Sequence, residues 1–290
     1  MPLIVLGEPP CVLAAREGHT AALTTLLDRG AHINIDSAEG IALHFAIRSG
    51  HTDAFNLLLN RGADVHARDD KGDTPLHEAA CANNVRTLTA LLNRGADINA
   101  TNHREQTVLH ASFMKNGHLS NASVPILLLG KGVDVNARDH TGKTALHVAA
   151  SPFYSARGTG VLASLVTLLD RGVHVNARDH TGQTALHVAA GNTYKRDAGV
   201  LNLLLNRGAD IHATDHSGQT AVHVAARAGH TAALEVLIPP LISDGSLNRL
   251  IRERVTADHD ITGKALAIVA QNGGEGAVAE LLVAALAQQE

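Results

Sequence analysis

The sequence predicts an all-α repeat solenoid, on three observations. A short box ending in Leu-His, once Val-His, recurs at His44, His77, His110, His147, His187 and His223. The successive spacings are 33, 33, 37, 40 and 36 residues, the period of one helix-turn-helix unit per repeat. Leu-rich stretches alternate with the boxes, and five of them close on Arg-Gly, at Arg29, Arg61, Arg94, Arg171 and Arg207. Between one Leu-rich stretch and the next box lies a polar segment that starts a turn on Asp and ends it on Gly, as in Asp179-His180-Thr181-Gly182.

The repeat around His140 justifies each element in chain order. In Thr144-Ala145-Leu146-His147-Val148-Ala149-Ala150, Thr144 is a natural N-cap, and the equivalent Thr74 is followed by Pro75 where a missing N–H costs nothing. A first helix starts there. Leu146, Ala149 and Ala150 fall at i, i+3 and i+4, a narrow stripe of small and apolar side chains that lets a neighbouring helix approach closely. A second helix is predicted over 161–170, where Arg171 suits its negative end and Gly172 takes the left-handed capping position. Residues 173–182 then run extended and turn back to Thr184, which starts the next helix.

These residues resemble the ankyrin-repeat family. The resemblance is carried by the Thr-Pro-Leu-His box, by Gly-His after the first helix (Gly18-His19, Gly50-His51, Gly229-His230), and by variants of Leu-Leu-x-Arg-Gly-Ala-Asp-Ile-Asn-Ala. It extends from about Pro9 to near the C-terminus and divides one domain, 1–290, into eight approximate units: 7–36, 37–69, 70–102, 103–139, 140–179, 180–215, 216–260 and 261–290. The first unit carries Pro9-Pro10-Cys11-Val12 in its box, and the last has decayed to Ala265-Leu266-Ala267-Ile268, as capping repeats do. The resemblance implies a non-catalytic recognition or scaffold module that binds a protein partner through a concave face.

Composition narrows the classes. A formal net charge of −4 gives no basic footprint for nucleic acid. Two cysteines, Cys11 and Cys81, are too few for a disulfide framework and fit a reducing compartment. No basic leader and no stretch of membrane-spanning length is present in the sequence, so a monomer in the cytoplasm or nucleus is expected. Asn121-Ala122-Ser123 matches a glycosylation acceptor, but that chemistry requires secretion.

Nineteen histidines raise the question of metal or acid–base chemistry. The six box histidines occupy one register position, which a ring bonded between neighbouring repeats explains. His140, His180 and His216 precede the turn in successive repeats and form a row, expected to face solvent or a partner. A row spaced by helix packing, about 8 to 10 Å, cannot converge on a metal ion that needs donors about 2 Å away. No metal site and no cofactor are therefore expected. Gly142-Lys143-Thr144 resembles the tail of a phosphate loop, but the required upstream glycine is Ala137, and Gly182-Gln183-Thr184 and Gly218-Gln219-Thr220 occupy the same place. The Arg-Gly arginines read as helix-end residues.

Periodic positions explain the fold, so specificity is sought where the repeats depart from one another. Three insertions fall between the two helices of the fourth, fifth and sixth units, at 114–121, 151–160 and 191–197. The chain has six aromatic residues, and four of them, Phe113, Phe153, Tyr154 and Tyr194, lie in or beside these insertions. With Met114, His118, Arg157, Lys195, Arg196 and Asp197 they form the predicted binding set. The alternative is a small-molecule site or enzyme built by the same insertions, with Tyr154, Lys195, Asp197 and His118 as polar or proton-transfer groups. The concave face adds Asp69, Asp70, Lys71, Asn102, His103, Arg104, Glu105, His140, His180 and His216 on the turns, and Phe45, Arg48, Glu78 and Cys81 on first helices. In the seventh unit Pro239-Pro240 is expected to stop the second helix, with Ser246 capping an extra one and a hinge or capping subdomain near 239–260.

Overall fold

A computed structural model describes residues 8–35, 37, 40–114, 123–151, 159–191 and 198–246. The chain divides into two compact units, the first ending at His140 and the second resuming at Thr141. The described residues form helices and turns, with two isolated β-bridges, Ser37 to Gly40 and Thr101 to Thr107.

In the first unit the helices alternate between two rows. First helices are α1 (Pro10–Arg16), α3 (Ala42–Arg48), α5 (Pro75–Cys81) and α7 (Val108–Ser112). Second helices are α2 (Thr20–Asp28), α4 (Thr52–Asn60), α6 (Val85–Asn93) and α8 (Ser123–Gly130). Each of these first helices packs on its own second helix, and α1, α3 and α5 also pack on the first helix of the next repeat, as α3 does on α4 and α5. The second unit repeats this with first helices α9 (Ala145–Ala149), α11 (Ala185–Ala190) and α13 (Ala221–Ala228), and second helices α10 (Thr159–Asp170), α12 (Gly199–Asn206) and α14 (Thr231–Ser243).

The core is the seam between the rows. The box leucines Leu43, Leu76, Leu109, Leu146 and Leu186 are buried, and so are Leu58, Leu88, Leu128, Leu168 and Leu204 from the second helices. First helices of five to eight residues are too short to be stable alone, so this burial, about 2 kcal/mol per leucine, holds them. The box adds a second restraint. Thr74, Thr107, Thr144, Thr184 and Thr220 each cap a first helix in a reciprocal box whose third helical residue is the histidine. The ring takes the part that Glu or Gln usually plays: Nδ1 of His77 accepts the backbone N–H of Thr74 at 3.2 Å and lies 2.9 Å from its hydroxyl. The other half, hydroxyl to backbone amide, is long, 3.5 Å between Thr107 and His110, so the ring is the stronger half.

First helices end where a residue takes the left-handed conformation, at Gly18, Gly50 and Gly229. In the third repeat Asn83 fills that slot with φ of 50°, and the next amide, Asn84, still donates back to Ala79 at 3.0 Å.

The expected stop at Pro239-Pro240 does not occur, since α14 runs on to Ser243. Leu234, Leu237, Ile238 and Leu241 form one buried stripe across the proline pair, while both prolines are exposed. The two missing amides therefore fall on the exposed side of the helix, where loss of a helical hydrogen bond costs least, and burial of the stripe carries the helix through. The extra helix expected after Ser246 lies outside the described residues.

Candidate interaction surface

The polar turns are built by an aspartate that folds the backbone around its own side chain. Oδ1 of Asp69 accepts the backbone N–H groups of Lys71 (2.9 Å) and Asp73 (2.8 Å). Asp179 does the same for Thr181 (2.8 Å) and Gln183 (3.0 Å), and Asp215 for Ser217 and Gln219, both at 2.8 Å. Neighbouring turns are then joined by a backbone bond, from His103 N to Lys71 O at 2.9 Å in the first unit and from His216 N to Thr181 O at 3.0 Å in the second. The row of turn histidines is thus fixed from below. A Cβ on Gly182, whose φ is +81°, would lie 2.6 Å from Cδ2 of His216, and one on Gly142 would lie 2.5 Å from Cδ2 of His180. These rings, expected to serve solvent or a partner, are exposed yet seated on the glycine of the preceding repeat.

Beside the turns, each first helix has two register positions, one and four residues after the box histidine (after Val12 in α1), whose burial varies from the exposed Leu13 and Met114 to the buried Phe45, Glu78 and Ala111. In the first unit these hold Leu13 and Arg16 on α1, Phe45 and Arg48 on α3, Glu78 and Cys81 on α5, and Ala111 followed by Met114 at α7. In the second unit the same positions hold Val148 and Ser151, Val188 and Gly191, Val224 and Arg227. The first unit's set is chemically mixed. Arg48 donates through Nη2 to Glu78 Oε1 at 2.6 Å and to Asp69 Oδ2 at 3.3 Å, and its guanidinium carbon sits 5.4 Å from the centre of the Phe45 ring. The Asp69 side chain is fully buried and that of Glu78 is 10 % exposed. One cation thus neutralises two buried carboxylates contributed by consecutive repeats, a network sensitive to loss of any member. Asp69, Asp73 and Glu78 also bring carboxylate oxygens within 4.8 Å of one another. Oδ1 of Asp73 accepts from Asn102 at 2.8 Å, and Asp69 is committed to its turn, so these groups have protein partners already.

Two apolar side chains on this surface stand out to solvent, Leu13 at 44 % exposure and Met114 at 37 %. Leu13 and Arg16 are not part of the site expected from sequence, and only alignment of the decayed box at Pro9 with later boxes could have found them. Of the predicted binding set, Phe113 is corrected: it is fully buried. It follows Leu109 by four residues and so continues the inward face past the end of α7, filling the slot that alanine occupies at Ala80 and Ala150. His118, Phe153, Tyr154, Arg157, Tyr194, Lys195, Arg196 and Asp197 lie outside the described residues. The Arg-Gly arginines are helix-end residues, and Arg61, Arg94 and Arg207 reach carbonyls or carboxylates of the preceding repeat. Arg94 donates to Leu59 O at 2.6 Å, Arg61 to Asp28 at 2.7 Å and Arg207 to Asp170 at 2.8 Å.

Paired helices, an aspartate-built turn and a threonine-histidine box that repeats from α5 onward define the class of protein as a helical repeat array for recognition. The sequence signature described as ankyrin repeats (three copies) matches residues 11–102, 76–152, 109–215, 152–248 and 193–289, and the chain belongs to the ankyrin-repeat family. Among solved structures it is similar to the human ASB11 ankyrin repeat domain, with a TM-score of 0.65, 26 % identity, and coverage of 79 % of this chain and 96 % of that one. Comparison with curated proteins gives no match. Ankyrin repeats mediate protein–protein interaction. Among the described residues no helix is long and apolar enough to cross a membrane.

Proposed function

We propose that this chain is a non-catalytic recognition module that binds a protein partner along the outward positions of its first helices and turns, with the insertions at 114–121, 151–160 and 191–197 adding contacts. One observation supports this most. The positions that stack the repeats hold the same Leu, His and Ala in copy after copy, whereas the outward positions of the first unit change from Leu13 and Arg16 to Phe45 and Arg48, Glu78 and Cys81, and Met114. Of these, the exposed Leu13 and Met114 and the part-exposed Arg16, Arg48 and Cys81 are accessible to a partner, and the Leu and Met flanking an ionic centre offer apolar anchors with a polar register between them.

The reading is tested by isolating partners on the immobilised chain and repeating the capture with Leu13→Asp and Met114→Asp. Both positions are exposed, so the fold, followed by circular dichroism and urea denaturation, is expected to hold. A partner retained by the native chain and lost from both variants supports the first-helix surface. Retention by both, with loss on Phe153→Ala or Arg157→Ala, transfers the interaction to the insertions, and retention by all four ends this reading.

A further inference from the structure

We propose that two box histidines, His77 in the first unit and His187 in the second, form an acid-sensitive latch, in which a proton arriving at Nδ1 releases the helix start that the neutral ring secures.

The geometry assigns each ring one form. Nε2 of His77 faces the carbonyl oxygen of Gln106 at 3.1 Å, and Nε2 of His187 faces that of Gln219 at 2.9 Å. A carbonyl only accepts, so Nε2 carries the hydrogen. Nδ1 of each faces a backbone N–H, from Thr74 and Thr184 at 3.2 Å, and an amide only donates, so Nδ1 carries none. The threonine hydroxyls, 2.9 Å away in both boxes, complete the set by donating to the same nitrogen. Only the neutral Nε2–H tautomer satisfies all of these contacts. A ring protonated at Nδ1 keeps its bond to the next repeat but turns a hydrogen against the threonine amide, and a buried helix start loses its reciprocal cap.

The charged groups around each ring work in both directions. Asp73 and Asp69 favour a charged His77 and Arg68 opposes it, while Asp215 and Asp179 favour a charged His187 and Arg178 opposes it. Burial is the largest influence on both and holds each ring below the ordinary histidine value of 6.5. The unfolded chain therefore takes up these protons first. The stability tied to them is fully present above that value and is lost as pH falls below it. Because both boxes start first helices, acidification also dismantles the surface proposed above for a partner, a consequence that rests on that reading while the latch itself does not.

The test uses the full chain. Long-range proton–nitrogen spectra of the histidine rings, recorded from pH 8 to pH 5, report tautomer and charge ring by ring, and urea denaturation at pH 7.5, 6.5 and 5.5 reports stability. The expected result has His77 and His187 as Nε2–H tautomers that stay neutral for as long as the chain is folded. The urea midpoint falls with pH, with a net uptake of protons on unfolding to which His77 and His187 contribute. His187→Gln is expected to flatten that dependence, and if it does not fold the spectra of the native chain decide alone. Ionisation of His77 or His187 with the fold intact, or an unchanged urea midpoint between pH 7.5 and pH 5.5, overturns the latch.

Discussion

The two units solve one stacking problem with different surfaces. In the second unit the sequence Thr-Ala-Leu-His-Val-Ala-Ala occurs at 144–150 and at 184–190, and the outward position after the histidine is valine in all three first helices, Val148, Val188 and Val224. Around it the array is nearly uniform, with turn aspartates satisfied within their own turns and turn histidines seated on the preceding glycine. The first unit keeps the stacking residues and changes what stands beside them. Its valine position holds Leu13, Phe45, Glu78 and Ala111, and one turn aspartate, Asp69, keeps its turn bonds through Oδ1 while accepting from Arg48 through Oδ2. Its second repeat even replaces the capping threonine by Ile41, so that His44 accepts a single donor, the Ile41 amide at 3.3 Å, while still reaching Asp73 O at 3.0 Å in the next repeat. The difference teaches that ring-to-carbonyl bonding between repeats is the constant and the outward face is the variable, which is the division of labour that a recognition array requires.

The comparison is broken most severely at Arg48. Arg48→Ala leaves Asp69 and Glu78 buried and close without a cation, and a loss of about 3 kcal/mol is expected in urea denaturation. Installing the second unit's chemistry, Arg48→Ser together with Glu78→Val, removes the charge and one of its two partners, leaving Asp69 held by its turn amides as Asp179 is, and is expected to fall within about 1 kcal/mol of the native chain. A double variant as unstable as Arg48→Ala would show that the ionic centre does more for the first unit than neutralise itself. In the second unit, Gly182→Ala places a Cβ on a left-handed backbone and against His216, and a loss of about 2 kcal/mol is expected. The first unit offers the reverse change. Glu105 holds φ of 58° at the turn position that Gly72, Gly142, Gly182 and Gly218 occupy in other repeats, so Glu105→Gly is expected to stabilise by about 1 kcal/mol, read as a raised melting temperature. The smallest effect falls on the exposed ion pairs. Arg207→Ala and Arg61→Ala, one in each unit, are expected to change stability by at most about 0.5 kcal/mol, and a larger change in either would mark an asymmetry that solvent exposure does not explain.

Much of the array is legible in the residues. Leu76, Leu146 and Leu186 read as stacking positions because they recur at one register, and box histidines as inter-repeat ligands because an identical placement demands an explanation common to all copies. Legibility fails where periodicity ends. Phe113 lies beside an insertion and reads as a contact residue, but whether an aromatic at a ragged helix end points in or out depends on the helix phase carried past Ser112 and on a cavity that neighbouring helices leave. Pro239 and Pro240 read as a stop because local propensity opposes a helix there, and a buried stripe on the other side of the same helix prevails. Leu13 and Arg16 were missed because their box had decayed.

Sequence by itself determined the architecture of this protein, through a period of one helix pair, a capping box, and glycine or asparagine at left-handed positions, all of them local features that each repeat carries in full. Tertiary structure alone decided which side chains are shared between repeats. That Arg48 would bind carboxylates from two later segments, that Arg61, Arg94 and Arg207 would reach back to the helix end before their own, and that turn histidines would rest on the glycine of the repeat before them are relations across about thirty residues of chain. Such relations depend on the distance and rotation between stacked units, which no single repeat contains.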